Sequence, residues 1–160
     1  PGAGRAIYTR GVYDDFVLRF DFRLTPGANN GVALRAPGEG DPAYVGMESQ
    51  VLDNAAKKYA GIRPWQRHGS IYGVAAAKPL GLKPAGEWNR QEILCRGARV
   101  AVTLNGQRIV DVDLRAAAPG GRTIDGREHP GLFRDSGHLG LLAHGDRVWF
   151  RNIRVKRLRE

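Results

Sequence analysis

The stretch Tyr44-Val-Gly-Met-Glu-Ser-Gln-Val-Leu-Asp53 sets an acid and an amide two residues apart, at Glu48 and Gln50. In extended backbone such residues share one face, so Met47, Ser49 and Val51 point to the other, the core side. A carboxylate accepts hydrogen bonds, while an amide both donates and accepts them. The pair therefore suits a hydroxyl-rich ligand. A plain solvent-facing sheet surface produces the same pattern, and on pattern alone it is the commoner origin.

Arg35 alternates with Val32 and Leu34, which assigns it to the side opposite them. If its strand neighbours that of Glu48, the two form a cross-strand ion pair, or Arg35 holds Glu48 ionised or orients a substrate hydroxyl. Of the four histidines (His68, His129, His138 and His144), His144 stands at a strand end before Gly145-Asp146. An imidazole there fits a general base or a metal ligand, although a lone His is more often a surface or hydrogen-bonded residue. No His spacing makes a metal site by itself. Tyr72 fits stacking on a sugar ring or proton donation, and Lys78 follows it. Trp65, Arg63 and His68 are expected to form a lid, Trp88 and Trp149 to pack, and Cys95 to lie in the core.

Strands must position these groups. Residues 16–24 alternate at period two, with Phe16, Leu18, Phe20, Phe22 and Leu24 on one face. Further strands are expected at 31–35, 44–52, 88–95, 137–143 and 147–158. Residues 99–104 and 107–114 flank Asn105-Gly106, the strongest short hairpin signal. The alternation slips between Phe150 and Ile153, which predicts a bulge at Arg151-Asn152. Residues 53–70 and 116–134 read as long loops, the first with at most a short helix at 55–59. No amphipathic helix or repeat is visible. Short strands between turn signals predict an all-β sandwich of two antiparallel sheets, with the last strand pairing back near the first.

The 160 residues fit one domain, expected over 1–160. The formal net charge is +9, and 20 of the 25 basic residues are Arg. They are dispersed, and the densest run, Arg147 to Arg159, alternates with Val148, Phe150, Ile153 and Val155 as the wet face of a strand does. The reading is therefore no nucleic-acid partner; a nucleic-acid binder would show one continuous basic face and a steep salt dependence. No apolar run is long enough to cross a membrane. No Walker loop, dinucleotide fingerprint, nucleophile elbow or zinc-finger spacing is present.

Several motifs together resemble the 3-keto-disaccharide hydrolase family. They are Asn29-Asn-Gly-Val-Ala-Leu-Arg-Ala-Pro37, Gly40-Asp-Pro-Ala-Tyr-Val-Gly-Met-Glu-Ser-Gln-Val-Leu-Asp53, Gly69-Ser-Ile-Tyr-Gly73 and Gly86-Glu-Trp-Asn89. Downstream they continue with Thr103-Leu-Asn-Gly106, His129-Pro-Gly-Leu132, Gly140-Leu-Leu-Ala-His-Gly-Asp146 and Phe150-Arg-Asn-Ile-Arg154. The resemblance implies a concanavalin A-like jelly roll, a small carbohydrate substrate, and cleavage of 3-keto-glycosides by hydrolysis or by elimination and hydration; the alternative is a non-catalytic, lectin-like carbohydrate-binding module. It places Glu48, His144, Arg35 and Tyr72 among the catalytic groups, with Glu48 or His144 as base and Arg35 or Lys78 against the enolate oxygen. It assigns Asn30, Gln50 and Asp53 to substrate hydroxyls and Lys78 to substrate binding. No cofactor is firmly implied, though a divalent metal could replace the basic oxyanion stabiliser. A periplasmic or secreted setting follows from the family pattern. Family members usually begin with further strands that this sequence lacks. Ser49 stands where an apolar residue is common, and Ala143 where Gln or Asp often precedes His-Gly.

Overall fold

The structure, a computed structural model, describes residues 6–158. Among the described residues, nine strands form two antiparallel sheets. The first holds β1 (Ala6–Tyr8), β8 (His138–Leu142), β3 (Asn29–Ala36) and β4 (Met47–Leu52), in that spatial order. The second holds β7 (Gln107–Asp113), β6 (Arg99–Leu104), β5 (Trp88–Arg96), β2 (Phe16–Leu24) and β9 (Val148–Arg157).

The period-two face of β2 becomes the centre of the sandwich. Phe16, Leu18, Phe20, Phe22 and Leu24 are all buried, in one cluster with Val32, Leu34, Met47, Val51, Ile93, Cys95 and Val102. Removing each such Phe or Leu from water contributes about 1.5–3 kcal/mol. Ser49 also lies on this face, where its hydroxyl accepts a 3.2 Å hydrogen bond from Gln91 Nε2. That bond explains how a hydroxyl occupies a core position.

Three sequence expectations hold in detail. Asn105 and Gly106 turn between β6 and β7 with φ of 48° and 85°, the paired positive angles that a tight hairpin needs. The last strand pairs with β2, and their register shifts between Arg19 and Asp21. At that bulge Asn152 has φ 54°, and its amide donates to Asp21 at 2.8 Å. Cys95 is fully buried, and burial pushes its thiol up to about 12.

Other expectations need correcting. Residues 44–46 are not strand. A one-turn helix, α1 (Pro42–Val45), precedes β4, capped by Asp41, whose carboxylate accepts from the Ala43 amide. The preceding strand, β3, begins at Asn29 rather than Gly31. The short β1 has no alternating apolar run to announce it. Trp88 and Trp149 stack on guanidinium groups rather than filling the core: Arg23 lies 5.1 Å and 4.2 Å from their ring centres, and Arg151 lies 3.8 Å from that of Trp88.

Candidate functional site

The outer face of β3 and β4 carries the candidate site. Register pairs Ala33 with Glu48 and Gly31 with Gln50, so both polar side chains stand on this face as the alternation requires. They do not face open solvent: Glu48 is 6% and Gln50 5% exposed. Two loops roof them. The first, after β4, returns alongside that strand: Gln50 N–H donates to Ser70 C=O, and Tyr72 N–H donates to Glu48 C=O at 2.9 Å. This seats the Tyr72 side chain over the sheet. The second loop docks on α1. Gly131 N–H donates to Tyr44 C=O at 2.8 Å, and the buried His129 contacts Ala43 C=O through Nδ1 and Asp125 through Nε2.

A cavity of about 300 Å³ results. Its walls include Glu48, Gln50, Tyr72 and His144, together with Asn29, Asp41, Tyr44, Gln66 and Arg127. Four of the eight sequence candidates therefore meet. His144 reaches the rim because it lies two residues beyond Leu142, itself on the outer face of β8; it is exposed.

Glu48 is electrostatically unusual. Among the described residues none donates a hydrogen bond to its carboxylate. Desolvation, with a smaller contribution from nearby Asp41, raises its pKa to about 8. The carboxylate lies directly over Gly31, where any Cβ would collide with it. Two phenols complete the arrangement. Tyr72 Oη accepts from Gln66 Nε2 at 3.2 Å, and Tyr44 Oη accepts from Arg127 Nη1 at 2.6 Å. Each hydroxyl thus has its lone pair engaged and its proton free for a ligand. Burial pushes the Tyr44 phenol up, with Arg127 opposing, so it stays a donor at neutral pH. Asn29 Oδ1 is buried without a partner among the described residues, and a ligand hydroxyl would satisfy it. Carboxylate, two phenolic donors and an orphaned acceptor in a roofed cavity can hold a hydroxylated carbonyl compound and move a proton beside the carbonyl.

The other four candidates lie elsewhere. Arg35 adopts φ 49° at a register shift between β3 and β8, and this turns its side chain away from Glu48. It is 3% exposed. It ion-pairs with Asp15 at 3.0 Å and donates to the carbonyls of Asp14, Gly97 and Arg134, so its bonds pin the β5–β6 turn and the segment before β8 to the sandwich. Asn30 has core parity and accepts from the Gly31 amide; its neighbour Asn29 is the one that lines the cavity. Asp53 ties two loops together, accepting from the Gly27 amide after β2 and from the Ala55 amide of its own loop. Lys78 is exposed on a separate cavity. His68 is no lid residue: it is buried, stacks on Phe22 at 5.0 Å, and is pushed down to about 4 by desolvation. Among the described residues, no group of three or more His, Cys, Asp or Glu gathers as a metal site would.

Arg35→Ala is expected to destabilise the fold by about 3 kcal/mol, because four acceptors lose a buried charged donor. A denaturant midpoint checks this. If Arg35 acts structurally, the KM for any turned-over glycoside stays within about twofold of the parent's.

Alternation does not assign Asn29, Asp41, Gln66 and Arg127 to the cavity that they line. Asn29 differs from the expected Asn30 only by strand parity. The other three sit on loops, where no period assigns a direction. Tyr44 lies within the motif that carries Glu48, but on the one-turn helix α1 rather than on a strand.

A model of the 3-keto-alpha-glucoside-1,2-lyase-like domain matches residues 1–156. A 3-keto-disaccharide hydrolase of Bacteroides thetaiotaomicron is 28% identical over 170 residues, covering 90% of this chain and 59% of that protein. The chain thus spans about three fifths of that relative's length. A Parabacteroides distasonis protein assigned to the glycosyl hydrolases superposes with a TM-score of 0.86 at 30% identity, covering 97% of this chain and 84% of its own. The carbohydrate-binding module CBM66 of Bacillus subtilis shares the fold at a TM-score of 0.58 and 14% identity, covering 98% and 84%. The sandwich is a jelly roll, and the chain belongs to the 3-keto-alpha-glucoside-1,2-lyase-like domain family.

Proposed function

We propose that the chain cleaves 3-keto-glycosides by elimination followed by hydration, with Glu48 as the base. The observation that carries this reading is the buried carboxylate of Glu48, without a hydrogen-bond donor among the described residues, in the same cavity as two phenols held as donors. A ketone at C3 acidifies the C2 proton. Glu48 takes that proton, and the electron pair left on C2 spreads onto the C3 oxygen. The phenols of Tyr44, backed by Arg127, and Tyr72, backed by Gln66, stabilise the developing oxyanion, the pattern used for enolates elsewhere. The electron pair then forms the C1–C2 double bond, the C1–O bond breaks, and the departing oxygen takes a proton from His144 at the rim. Water adds across the double bond: its hydroxyl goes to C1 and its proton to His144, while Glu48, having exchanged the abstracted proton with solvent as the alcohol leaves, returns a proton to C2. The products are the free 3-keto-sugar and an alcohol. This chemistry needs one base and a stabilised oxyanion rather than two opposed carboxylates.

The test is release of 3-keto-glucose from a 3-keto-disaccharide by the parent chain. The shared jelly roll of CBM66 motivates the second reading, a sugar-binding module. Saturable sugar binding with no release would establish it in place of the first.

The rim position of His144 makes a separable prediction. His144→Ala should slow release of a sugar leaving group by about a hundredfold. With a 4-nitrophenyl leaving group, which needs no proton, the loss should be less than about threefold. Equal losses on both substrates would remove His144 from the acid role.

A further inference from the structure

A second cavity, of about 700 Å³, lies beside the first and shares the wall formed by Tyr59. Its character is different. The polar cavity is built from acid, amide and phenol, whereas this one has a largely apolar lining that includes Leu80, Leu82 and Leu104, with Pro26, Pro79 and Pro84 in its loops. Leu80 is 47% exposed despite its apolar side chain. Around this lining stand Arg67, Lys78 and Lys83, and Lys58 lies against Gly27 on the same wall. Among the described residues, none of these four cations lies in an ion pair. The one acid lining the cavity, Asp53, has both oxygens engaged by the Gly27 and Ala55 amides. The partition itself is held in place: Tyr59 Oη donates to Gly27 C=O at 3.2 Å.

An apolar cavity with a few placed charges is the common form of a small-molecule site. Here its size suits an aromatic ring, and its charges suit an anion. Resting on the proposed 3-keto-glycoside reaction, we infer that this cavity is the leaving-group subsite, and that it selects glycosides whose aglycone is an aromatic acid. The sugar occupies the Glu48 cavity, the glycosidic bond passes Tyr59, the ring lies on Leu80 and Leu82, and the carboxylate meets Lys78, Lys83 and Arg67.

The experiment compares the 3-keto-glucosides of 4-hydroxybenzoate and of phenol, in the parent and in Lys78→Ala/Lys83→Ala. In parallel, binding of free 4-hydroxybenzoate is measured by methyl chemical shifts of the cavity leucines. The parent is expected to favour the acidic glycoside in kcat/KM by about tenfold at low salt. The double variant should bring that ratio to about one, and so should high salt. Free 4-hydroxybenzoate should shift Leu80 and Leu82 in the parent only. Turnover of both glycosides at equal efficiency, without leucine shifts, would overturn the subsite and leave the reaction standing. Leucine shifts that vanish in the double variant, without turnover of either glycoside, would support an aromatic-acid site and overturn the reaction on which the leaving-group role rests.

Discussion

Glu48→Gln is expected to lower the turnover of a 3-keto-glycoside by roughly a thousandfold while leaving the protein folded. The amide keeps the shape of the carboxyl group but cannot take the C2 proton. The same residue predicts the pH profile. With a 4-nitrophenyl leaving group, which needs no proton from His144, the parent's rate should rise with pH through about 8, the value to which burial and Asp41 raise Glu48, because only the ionised form is a base. Stability should move the other way. Between the unfolded value of 4.5 and the folded value of about 8, the folded chain holds a proton that the unfolded chain has released. Its contribution is fully present below 4.5 and is lost as pH rises toward 8, at about 1.4 kcal/mol per pH unit. Glu48→Gln removes this slope, so it should be relatively more stable than the parent at pH 8 than at pH 4. Thermal unfolding at several pH values checks this, and a slope equal in both proteins would assign the pH dependence to other groups.

Gly31→Ala is expected to cost about a hundredfold in kcat, the usual scale for misplacing a catalytic group by about an ångström. Gly31 carries no unusual backbone angle. Its requirement is purely one of space, since the Glu48 carboxylate occupies the position that a Cβ would take. The methyl group must push the carboxylate into the cavity, where water relieves its desolvation. The activity loss should therefore come with a rate profile whose rise shifts below pH 8. The fold should survive, because Glu48 has open space to move into. A variant with normal kcat and an unmoved pH profile would show that the position of the carboxylate over β3 is unimportant.

These two residues mark how far the sequence could be read. Period-two alternation placed β2, β5 and the β6–β7 hairpin, because each keeps one face against a continuous core, and β9, where only Val148 and Phe150 pack on that core while Ile153 and Val155 stay exposed. It also set Glu48 and Gln50 side by side, because β4 is an unbroken ladder with β3. Alternation failed where the ladder broke. At Arg35 a positive φ and an extra residue reversed the expected direction. Asn29 and Asn30 were exchanged because the start of β3 had no fixed parity. The roof of the site was illegible for a different reason. Asp41, Gln66 and Arg127 arrive on loops whose paths are set by long-range hydrogen bonds, such as Gly131 to Tyr44 and Asp125 to Gly73. That roof turned a polar sheet surface into a half-open cavity, and nothing in local spacing encodes it.

The most direct measurement follows the C2 hydrogen. The parent is incubated with a 3-keto-disaccharide in deuterium oxide, and the released 3-keto-sugar is analysed at early times against an enzyme-free control. The elimination route predicts deuterium at C2 above the control, with none in excess at C4, the other carbon beside the ketone. Release of 3-keto-sugar that retains its original hydrogen at C2 would contradict Glu48 as the base and point to direct displacement at C1.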